Sequence, residues 1–186
     1  MIKSKLKTAV EFAKSLRTSG ALYETSRKVE IEITSHISDK PNQVYIEFGL
    51  GHGNITREIL SKMHESSVLY SFEVNEDFCN HVKEEIKDKR LRIINDSAER
   101  LGDHVDQQVS GIVSSLPLTI IPKEMRYVIL DVTFKILEAG GYYSQILYSK
   151  RMLKRFIKIF DEVNVIKNIN IPMEYIHHCR KTNEPV

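Results

Sequence analysis

The segment from residue 44 to residue 56 constrains the fold more than any other. An apolar run, Val44–Phe48, leads into glycines at alternate positions, Gly49, Gly51 and Gly53, and then into a helix-like stretch. Glycine permits a positive φ and lets the backbone approach a ligand closely, because no Cβ intervenes. The pattern therefore predicts a buried strand, a tight ligand-binding loop and the N-terminus of a helix.

The spacing of these glycines narrows the choice of ligand. A dinucleotide fingerprint, G-x-G-x-x-G, starting at Gly49 would need a glycine where Asn54 stands, and the phosphate-binding G-x-x-x-x-G-K-[ST] pattern does not occur. Instead, Glu47 precedes a G-x-G-x-G loop. This arrangement resembles motif I of the class I S-adenosylmethionine (SAM)-dependent methyltransferases. The resemblance implies that Glu47, Gly49, Gly51 and Gly53 lie against the methionine part of SAM.

Apolar strand-like runs alternate with amphipathic helical stretches along the rest of the chain. The alternation predicts strands at about 43–48, 68–73, 91–95, 109–114, 141–147, 161–167 and 172–180. Helices are expected at about 26–37, 54–63, 76–87, 97–104, 122–138 and 149–159. Strands joined by single helices form a parallel, doubly wound α/β sheet. The last two strands have little between them, so one antiparallel strand is expected at or near the sheet edge, as in the Rossmann-like methyltransferase fold.

Acidic residues follow the second and third predicted strands. Glu73 comes 22 residues after Gly51, close to the separation at which such sheets present a carboxylate to ribose hydroxyls. Val74 can then contact adenine. Asp96 follows the third strand, and the resemblance implies that it binds the adenine amine, with Ser97 beside it and Ala98 leaving room for the ring. Asp96 can also cap the next helix.

The segment after the fourth strand bears on the methyl acceptor. Methyltransferases of adenine or cytosine amines carry Asn-Pro-Pro-Tyr-like motifs here, in which the aromatic ring stacks on the base. This chain has Ser115 in place of the amide and Leu118 in place of the ring. Without base stacking, which contributes about 1–3 kcal/mol, a flexible aliphatic amine is the better candidate. Ser114 and Ser115 can orient that amine through their hydroxyls, and Ser114 is also a candidate cofactor-binding residue.

Several segments together resemble the bacterial phospholipid N-methyltransferases, which methylate phosphatidylethanolamine. They are residues 12–21 with 26–27, the glycine loop, the Ser-Ser-Leu-Pro-Leu element at 114–118, and residues 170–175 with 179–180. The segment at 22–25 departs from that family's pattern. A more distant similarity is to the rRNA adenine dimethyltransferases, whose helical RNA-binding domain we do not expect in a chain ending at Val186. A non-enzymatic SAM-binding protein is a further alternative.

Transfer to an alkylammonium requires loss of a proton, since such amines titrate near ~10. We name Tyr23 and His52 as candidate proton acceptors, with Ser115 as the third candidate catalytic residue. As alternatives, Tyr23 is a packing aromatic and His52 a solvent-facing loop residue. No group of residues with metal-ligand spacing predicts a metal site.

Charge is balanced globally and uneven locally. The formal net charge is +2. From Met1 to Arg17 the pattern predicts a basic amphipathic helix, either an anchor on an anionic membrane or a cover packed on the domain. A second basic run extends from Lys150 to Lys158. This run suits an anionic membrane surface and also RNA phosphates; as the alternative, it is a solvated face. We expect an N-terminal helical segment at 1–40, a methyltransferase domain at 41–186, and a cytoplasmic location that includes the inner membrane face.

Overall fold

The computed structural model describes residues 26–168 and 173–182. Its seven strands are β1 Val44–Phe48, β2 Val68–Phe72, β3 Leu91–Ile94, β4 Val109–Ser114, β5 Leu137–Leu147, β6 Glu162–Asn168 and β7 Glu174–Arg180. Its α-helices are α1 Arg27–Ile33, α2 Asn54–Lys62, α3 Glu76–Glu85, α4 Leu101–His104, α5 Lys123–Ile136 and α6 Leu153–Ile159. Short 3₁₀ turns, Ala98–Arg100 and Lys150–Met152, precede α4 and α6. The predicted N-terminal basic helix and Tyr23 lie outside the described residues.

The strands form one sheet in the order β3-β2-β1-β4-β5-β7-β6. Neighbours from β3 through β5 pair in parallel, and β7 pairs antiparallel with both β5 and β6. A short connection between β6 and β7 explains the reversal, because a hairpin-like link cannot join parallel neighbours. The predicted α/β fold with one antiparallel strand near the edge is confirmed.

Helices cover both faces of the sheet, so the core has one large cluster on each face, and β1 contributes to both. Tyr45 packs with Val29 and Ile33 of α1 and Ile59 of α2. Ile46, on the opposite side of the strand, belongs to the cluster formed with α4, α5 and α6. Successive side chains of a strand point to opposite faces, so a strand covered on both sides is apolar throughout. This burial fixes the strand ends at which the site is built.

The junction between α5 and β5 differs from the prediction. The helix ends at Ile136 and β5 begins at Leu137, four residues earlier than expected. Leu137 pairs with Val109, and the register then shifts before Gly111 pairs with Tyr142. The fully buried Lys181 closes this junction, because its Nζ donates to the carbonyls of Phe134, at 3.2 Å, and Leu137, at 2.6 Å. A helix C-terminus favours a cation in this position.

The segment that leads into the sheet is also shorter than expected. Helix α1 ends at Ile33, although the apolar pattern extends to residue 37. It packs on the sheet and is tied to α2 by Arg27, whose guanidinium lies 2.6 Å from the Glu58 carboxylate. Within the described ranges, no helix is both long and apolar enough to cross a membrane.

Candidate cofactor and acceptor site

Four strand ends line up at the carboxyl edge of the sheet. Phe48 pairs with Phe72 on one side and with Ser114 on the other, and Phe72 pairs with Ile94. The residues that follow these partners are Gly49, Glu73, Ser115 and Asn95, and they therefore form one row just beyond the sheet. In doubly wound folds this crevice is where ligands bind. The predicted convergence of the glycine loop with the second and third strand ends is confirmed in the backbone.

The glycine loop has the conformation that only glycine adopts readily. Gly49, Gly51 and Gly53 have φ of 85°, 51° and 82°. A Cβ on Gly49 would lie 2.6 Å from Ser115 Oγ, whereas a Cβ on Gly51 would meet no atom within 4 Å. Gly49 thus packs tightly against the loop after β4, and Gly51 borders open space. This space at the middle of the loop fits a ligand that contacts the backbone directly.

Glu73 is held across the glycine loop by backbone N–H groups. Its Oε2 accepts from Gly51 N at 3.3 Å and its Oε1 accepts from Asn75 N at 2.9 Å. Burial raises the pKa of Glu73, and these two N–H donors oppose that rise. A carboxylate has about four lone-pair positions, so it can accept further hydrogen bonds from a vicinal diol. Val74 comes next in the chain and is half-buried.

Asp96 is ordered by the turn and helix that follow it. Its Oδ2 lies 2.8 Å from His104 Nε2 and 3.5 Å from Arg100 Nε, and its Oδ1 accepts from Ser97 N at 2.8 Å. The interpretation of Asp96 as a helix cap is wrong, because Ser97 is the capping residue and accepts from Glu99 N at 3.4 Å. Asp96 therefore keeps acceptor capacity for a donor in the crevice.

Ser97 and Ala98 lie beneath this part of the crevice. Both side chains are buried, and Ala98 packs with Phe72 and Leu101 in the larger core cluster. Because a 3₁₀ turn begins at Ala98, the chain bends away directly after Asp96. The Asp96 side chain beside this bend is 12% exposed. Whether Ser97 and Ala98 contact the cofactor stays a prediction.

Glu47 lies under the glycine loop and does not line its surface. The residue is 1% exposed, and its Oε2 accepts from Thr56 Oγ1 at 2.8 Å and from Ser71 Oγ at 2.6 Å. These bonds connect β1 to the first turn of α2 and to β2. Oε1 has no hydrogen-bond partner among the described residues. Burial raises the pKa of Glu47 to about 7, against the effect of both hydroxyl donors.

The loop after β4 corrects one sequence-based interpretation, the role given to Ser114. Ser114 is fully buried, so its hydroxyl is inaccessible from the crevice and cannot orient an acceptor amine in this structure. Leu118, which aligns with the stacking ring of base methyltransferases, is also fully buried and belongs to the core. After the strand ends at Ser114, the backbone turns, and side-chain positions no longer alternate as they do in a strand. The sequence offers no marker of that change.

Ser115, in contrast, lies at the crevice and connects its two sides. Its backbone N donates to Phe48 O at 3.0 Å, and its hydroxyl donates to Gly49 O at 2.9 Å. The hydroxyl proton is thereby engaged, but the oxygen keeps lone pairs that can accept from an amine. Ser115 both fixes the glycine loop and offers an acceptor next to it.

His52 occupies the outer side of the glycine loop. Its exposed ring packs against Phe78 of α3, with ring centroids 4.8 Å apart, and lies 5.8 Å from the ring of His81. These contacts do not involve the loop after β4. A role for His52 as a proton acceptor stays a prediction, as does the role of Tyr23, which is outside the described residues.

Two polar residues of the site were not identified from the sequence. Gln145 on β5 is fully buried, and its Nε2 donates to Leu116 O at 2.9 Å, an oxygen that also accepts from Leu118 N at 2.8 Å. Asn95 Nδ2 donates to Glu73 O at 2.9 Å. A glutamine inside the apolar run of β5 is the signal that marks Gln145, because a buried amide needs hydrogen-bond partners.

The residues present at this edge fit SAM. The open space at Gly51 can take the amino-acid part of the cofactor. The Glu73 carboxylate, held across the loop, can accept from a ribose diol. Asp96 can accept from the exocyclic amine of adenine. Across residues 26–168 and 173–182, no group of three His, Cys, Asp or Glu residues has the arrangement of a metal site.

Comparisons with known proteins agree with this geometry. No protein-family model matches the chain. It is 27% identical over 149 residues to an ornithine lipid N-methyltransferase of Singulisphaera acidiphila, covering 76% of this chain and 78% of the relative. It is 31% identical over 122 residues to ribosomal RNA small subunit methyltransferase A of Pelagibacter ubique, covering 65% of this chain but only 45% of the relative.

The fold has close counterparts among solved structures. A methyltransferase from Streptococcus mutans, solved in complex with SAH, superposes with a TM-score of 0.64 at 17% identity and covers 85% of this chain and 99% of that one. Fold, crevice and relatives together define the class. The chain is a SAM-dependent methyltransferase, and its cofactor is S-adenosyl-L-methionine. The sequence-based predictions of the enzyme class and of the cofactor are confirmed.

Proposed function

We propose that the protein transfers a methyl group from SAM to the amino group of a phospholipid such as phosphatidylethanolamine. The observation that carries this proposal is the loop after β4, where Ser115 Oγ is an available acceptor and Leu118 is buried in the core. An acceptor oxygen without a stacking ring suits a flexible aliphatic amine better than a flat base. The lipid part is supported by the 27% identical relative that is an ornithine lipid N-methyltransferase.

The cofactor is assigned to the crevice as follows. The backbone of Gly49, Gly51 and Gly53 borders its methionine part, Glu73 accepts from the ribose hydroxyls, and Asp96 accepts from the adenine amine. Val74, Ser97 and Ala98 surround the adenine ring. Glu47 acts beneath the loop by holding β2 and the first turn of α2 in place. Ser114, a candidate cofactor-binding residue from the sequence, is fully buried, so the proposal gives it no contact with SAM.

The reaction requires alignment and loss of a proton. When bound, SAM would supply an electrophilic methyl group: the amine nitrogen forms a bond to that methyl carbon as the bond from carbon to the sulfonium sulfur breaks, which leaves SAH. Ser115 Oγ accepts a hydrogen bond from the amine and so directs the nitrogen toward the glycine loop. Partial desolvation in the crevice lowers the pKa of the ammonium group and favours the neutral nucleophile. His52 and Tyr23 remain the candidate acceptors of the released proton.

Membrane association is the second part of the proposal. The run from Lys150 to Lys158 forms the 3₁₀ turn and α6, with Met152 and Phe156 buried and with exposed cations between them. Cations near an anionic bilayer each contribute about 1 kcal/mol. We propose that this run, with the basic segment from Met1 to Arg17, brings the protein to the membrane surface.

An rRNA adenine N6-methyltransferase is the second candidate function. The 31% identical Pelagibacter relative favours it, although this chain spans less than half of that protein. The burial of Leu118 is the observation against it, because a target adenine would lack a stacking partner at that position.

The two functions are separated by a labelled-methyl assay with matched acceptors. Vesicles of phosphatidylethanolamine with about 30% anionic lipid and protein-free small-subunit rRNA are each incubated with enzyme and labelled SAM. We expect label in the lipid and none in the RNA. Replacing Ser115 by Ala should raise the KM for the lipid more than the KM for SAM, while Ser110→Ala, on the same strand but away from its carboxyl end, should change neither. Label in RNA alone would contradict the proposal.

A further inference from the structure

A cavity of about 430 Å³ lies between α5 and α6, and its lining is strongly basic. Five of its eight lining residues are cationic, and none is acidic: Arg126, Arg151, Lys154, Arg155 and Lys158. In the part of the chain that the structure describes, none of these five forms an ion pair with a carboxylate. The cavity is therefore an uncompensated positive site, which attracts an anion.

Two arginines carry the argument, because their guanidinium groups are fixed and incompletely paired. Arg126 Nη1 donates to Leu118 O at 2.9 Å, and the guanidinium of Arg155 lies 4.2 Å from the centroid of the Tyr127 ring. The Nε of both arginines is buried without a hydrogen-bond partner among the described residues. A guanidinium whose Nε lacks an acceptor is incompletely compensated, and an anion bound beside it in the cavity would offset its charge. Phosphate matches this donor arrangement well.

The cavity lies at the acceptor side of the same sheet edge as the SAM crevice. Thr119, from the loop after β4, contributes to its lining. Arg126 is in the first turn of α5, and α6 follows β5, so both helices begin at the carboxyl edge. Glu73 and Asp96, assigned to the cofactor, follow β2 and β3 on the other side of β1. A phosphate in this cavity would belong to the acceptor.

Three exposed apolar residues are sequence neighbours of cavity residues and indicate where the phosphate comes from. Ile120 follows Thr119 and is 49% exposed, Val128 follows Tyr127 and is 43% exposed, and Ile157 precedes Lys158 and is 60% exposed. Cations interspersed with exposed large apolar residues are typical of a surface that enters the headgroup region of a bilayer. RNA phosphates would use the cations but not the apolar side chains.

We propose that the cavity between α5 and α6 binds the phosphate group of the phospholipid whose amine is methylated, through Arg126 and Arg155. This inference rests on the proposed function. It adds a specificity determinant, because a lipid amine without a phosphate would lack these contacts. The arginines do not touch the reacting amine, so their effect should appear in KM and not in kcat.

The test combines removal of the phosphate with removal of the arginines. Phosphatidylethanolamine and a diacylglycerol aminoethyl ether without phosphate are compared in uncharged detergent micelles, with wild type, Arg126→Gln, Arg155→Gln and Lys135→Gln. Lys135 is the matched control, since it is an exposed cation at the other end of α5, paired with Asp131 at 2.8 Å. Thermal melting and SAM affinity establish that each variant is folded.

We expect wild type and Lys135→Gln to prefer the phosphate lipid by about tenfold or more in kcat/KM, a difference typical of charge-assisted hydrogen bonds. Each arginine variant should lose most of that preference through a higher KM for phosphatidylethanolamine, with unchanged KM for the ether lipid and unchanged SAM affinity. If Arg126→Gln does not fold, Arg155→Gln decides, since Arg155 makes no hydrogen bond recorded within the described residues.

Other outcomes separate the two proposals. If wild type methylates phosphatidylethanolamine and the arginine variants keep its preference for phosphate, the cavity proposal is overturned and the proposed function stands. If wild type methylates neither lipid, the proposed function fails and the cavity proposal with it. Methylation of rRNA that depends on Arg126 and Arg155 would assign the cavity to RNA phosphates and would also overturn the lipid proposal.

Discussion

Glu47 is the residue on which the glycine loop is built. Its carboxylate is 1% exposed and joins β1 to β2 and α2 through Ser71 and Thr56. Burial raises its pKa to about 7. The base of the cofactor loop therefore changes its charge in the physiological pH range, which an exposed glutamate would not do.

This pKa predicts how the free energy of unfolding depends on pH. An acid whose pKa is raised by folding stabilises the native state fully below its unfolded value near 4.5, and that stability is lost as pH rises to about 7. In Glu47→Gln this loss is absent. Urea unfolding at pH 5 and pH 8 should show that the variant gains about 2–3 kcal/mol relative to wild type between the two values.

Two controls make that comparison specific to Glu47. Burial lowers the pKa values of His36 and His177 to about 4. Their contribution to the free energy of unfolding is therefore present above pH 6.5 and is lost as the pH falls toward 4, opposite to that of Glu47. The histidine contributions cancel when the variant is compared with wild type at each pH. Glu84→Gln, on the exposed side of α3, controls for the change of side chain. A difference for Glu47→Gln that does not vary with pH would refute the prediction.

For single residues of the site, the sequence predicts those whose positions follow from strand register. It does not predict the side-chain directions of residues in the loops beyond the strands. Gly49 and Glu73 each come directly after a strand residue whose partner is known, so their proximity follows from parallel pairing. Ser114 and Leu118 flank a turn whose side-chain directions depend on packing with α5. Gln145 acts through a contact with Leu116 that is distant in sequence.

The loop between β1 and α2 contains a glycine needed for packing, Gly49, and a glycine that borders the ligand space, Gly51. Gly49 combines φ of 85° with a potential Cβ contact of 2.6 Å to Ser115 Oγ, so any side chain there disturbs the packing of two loops. Gly51 has φ of 51° and open space where a Cβ would lie. A substitution at Gly51 therefore tests ligand contact with little disturbance of the fold.

We predict that Gly51→Ala binds SAM about tenfold or more weakly, because the added methyl occupies the space assigned to the cofactor. The left-handed conformation costs an alanine about 1–2 kcal/mol, which corresponds to a fall in Tm of roughly 2–8 °C. Isothermal titration and thermal melting measure both quantities. Gly102→Ala, in α4 and also without neighbours within 4 Å, should keep wild-type affinity. If Gly51→Ala binds SAM with wild-type affinity, the loop does not contact the cofactor at this position.

Element boundaries were predicted closely where a glycine or a polar turn interrupts the pattern, as at β1 and α2. They were missed at the junction of α5 and β5, because Leu137 continues the apolar pattern of the helix while pairing with Val109 as a strand residue. The bond from Lys181 to the end of α5 comes from the residue after β7, the strand next to β5, and that residue is 44 positions later in the chain than Leu137. No local sequence pattern contains that information.

For the whole molecule, the strand directions in the sheet follow from the lengths of its connections. The distribution of charge on the surface cannot be read from the sequence in the same way. Alternating strands and helices predict the parallel sheet, and the short link between β6 and β7 predicts the antiparallel strand. A net charge of +2 gives no indication of a basic cavity. That cavity exists because Arg126 and Arg155, on different helices, meet at one edge of the sheet.

Two sets of three lysine or arginine substitutions can separate local charge from net charge, because both change the total equally. Arg151, Lys154 and Lys158 are exposed cations of the cavity. Lys83, Lys87 and Lys89 are exposed cations in and after α3, which leads to the opposite end of the sheet. Changing each set to glutamine lowers the formal net charge by three.

We predict that the triple variant at Arg151, Lys154 and Lys158 binds vesicles containing anionic lipid about a hundredfold more weakly, because each cation near the surface contributes about 1 kcal/mol. The Lys83, Lys87 and Lys89 variant should bind nearly as wild type. Flotation at several salt concentrations measures both, and added salt should weaken wild-type binding by screening the same charges. Equal losses in the two variants would mean that net charge, and not the edge formed by α5 and α6, attracts the protein to the bilayer.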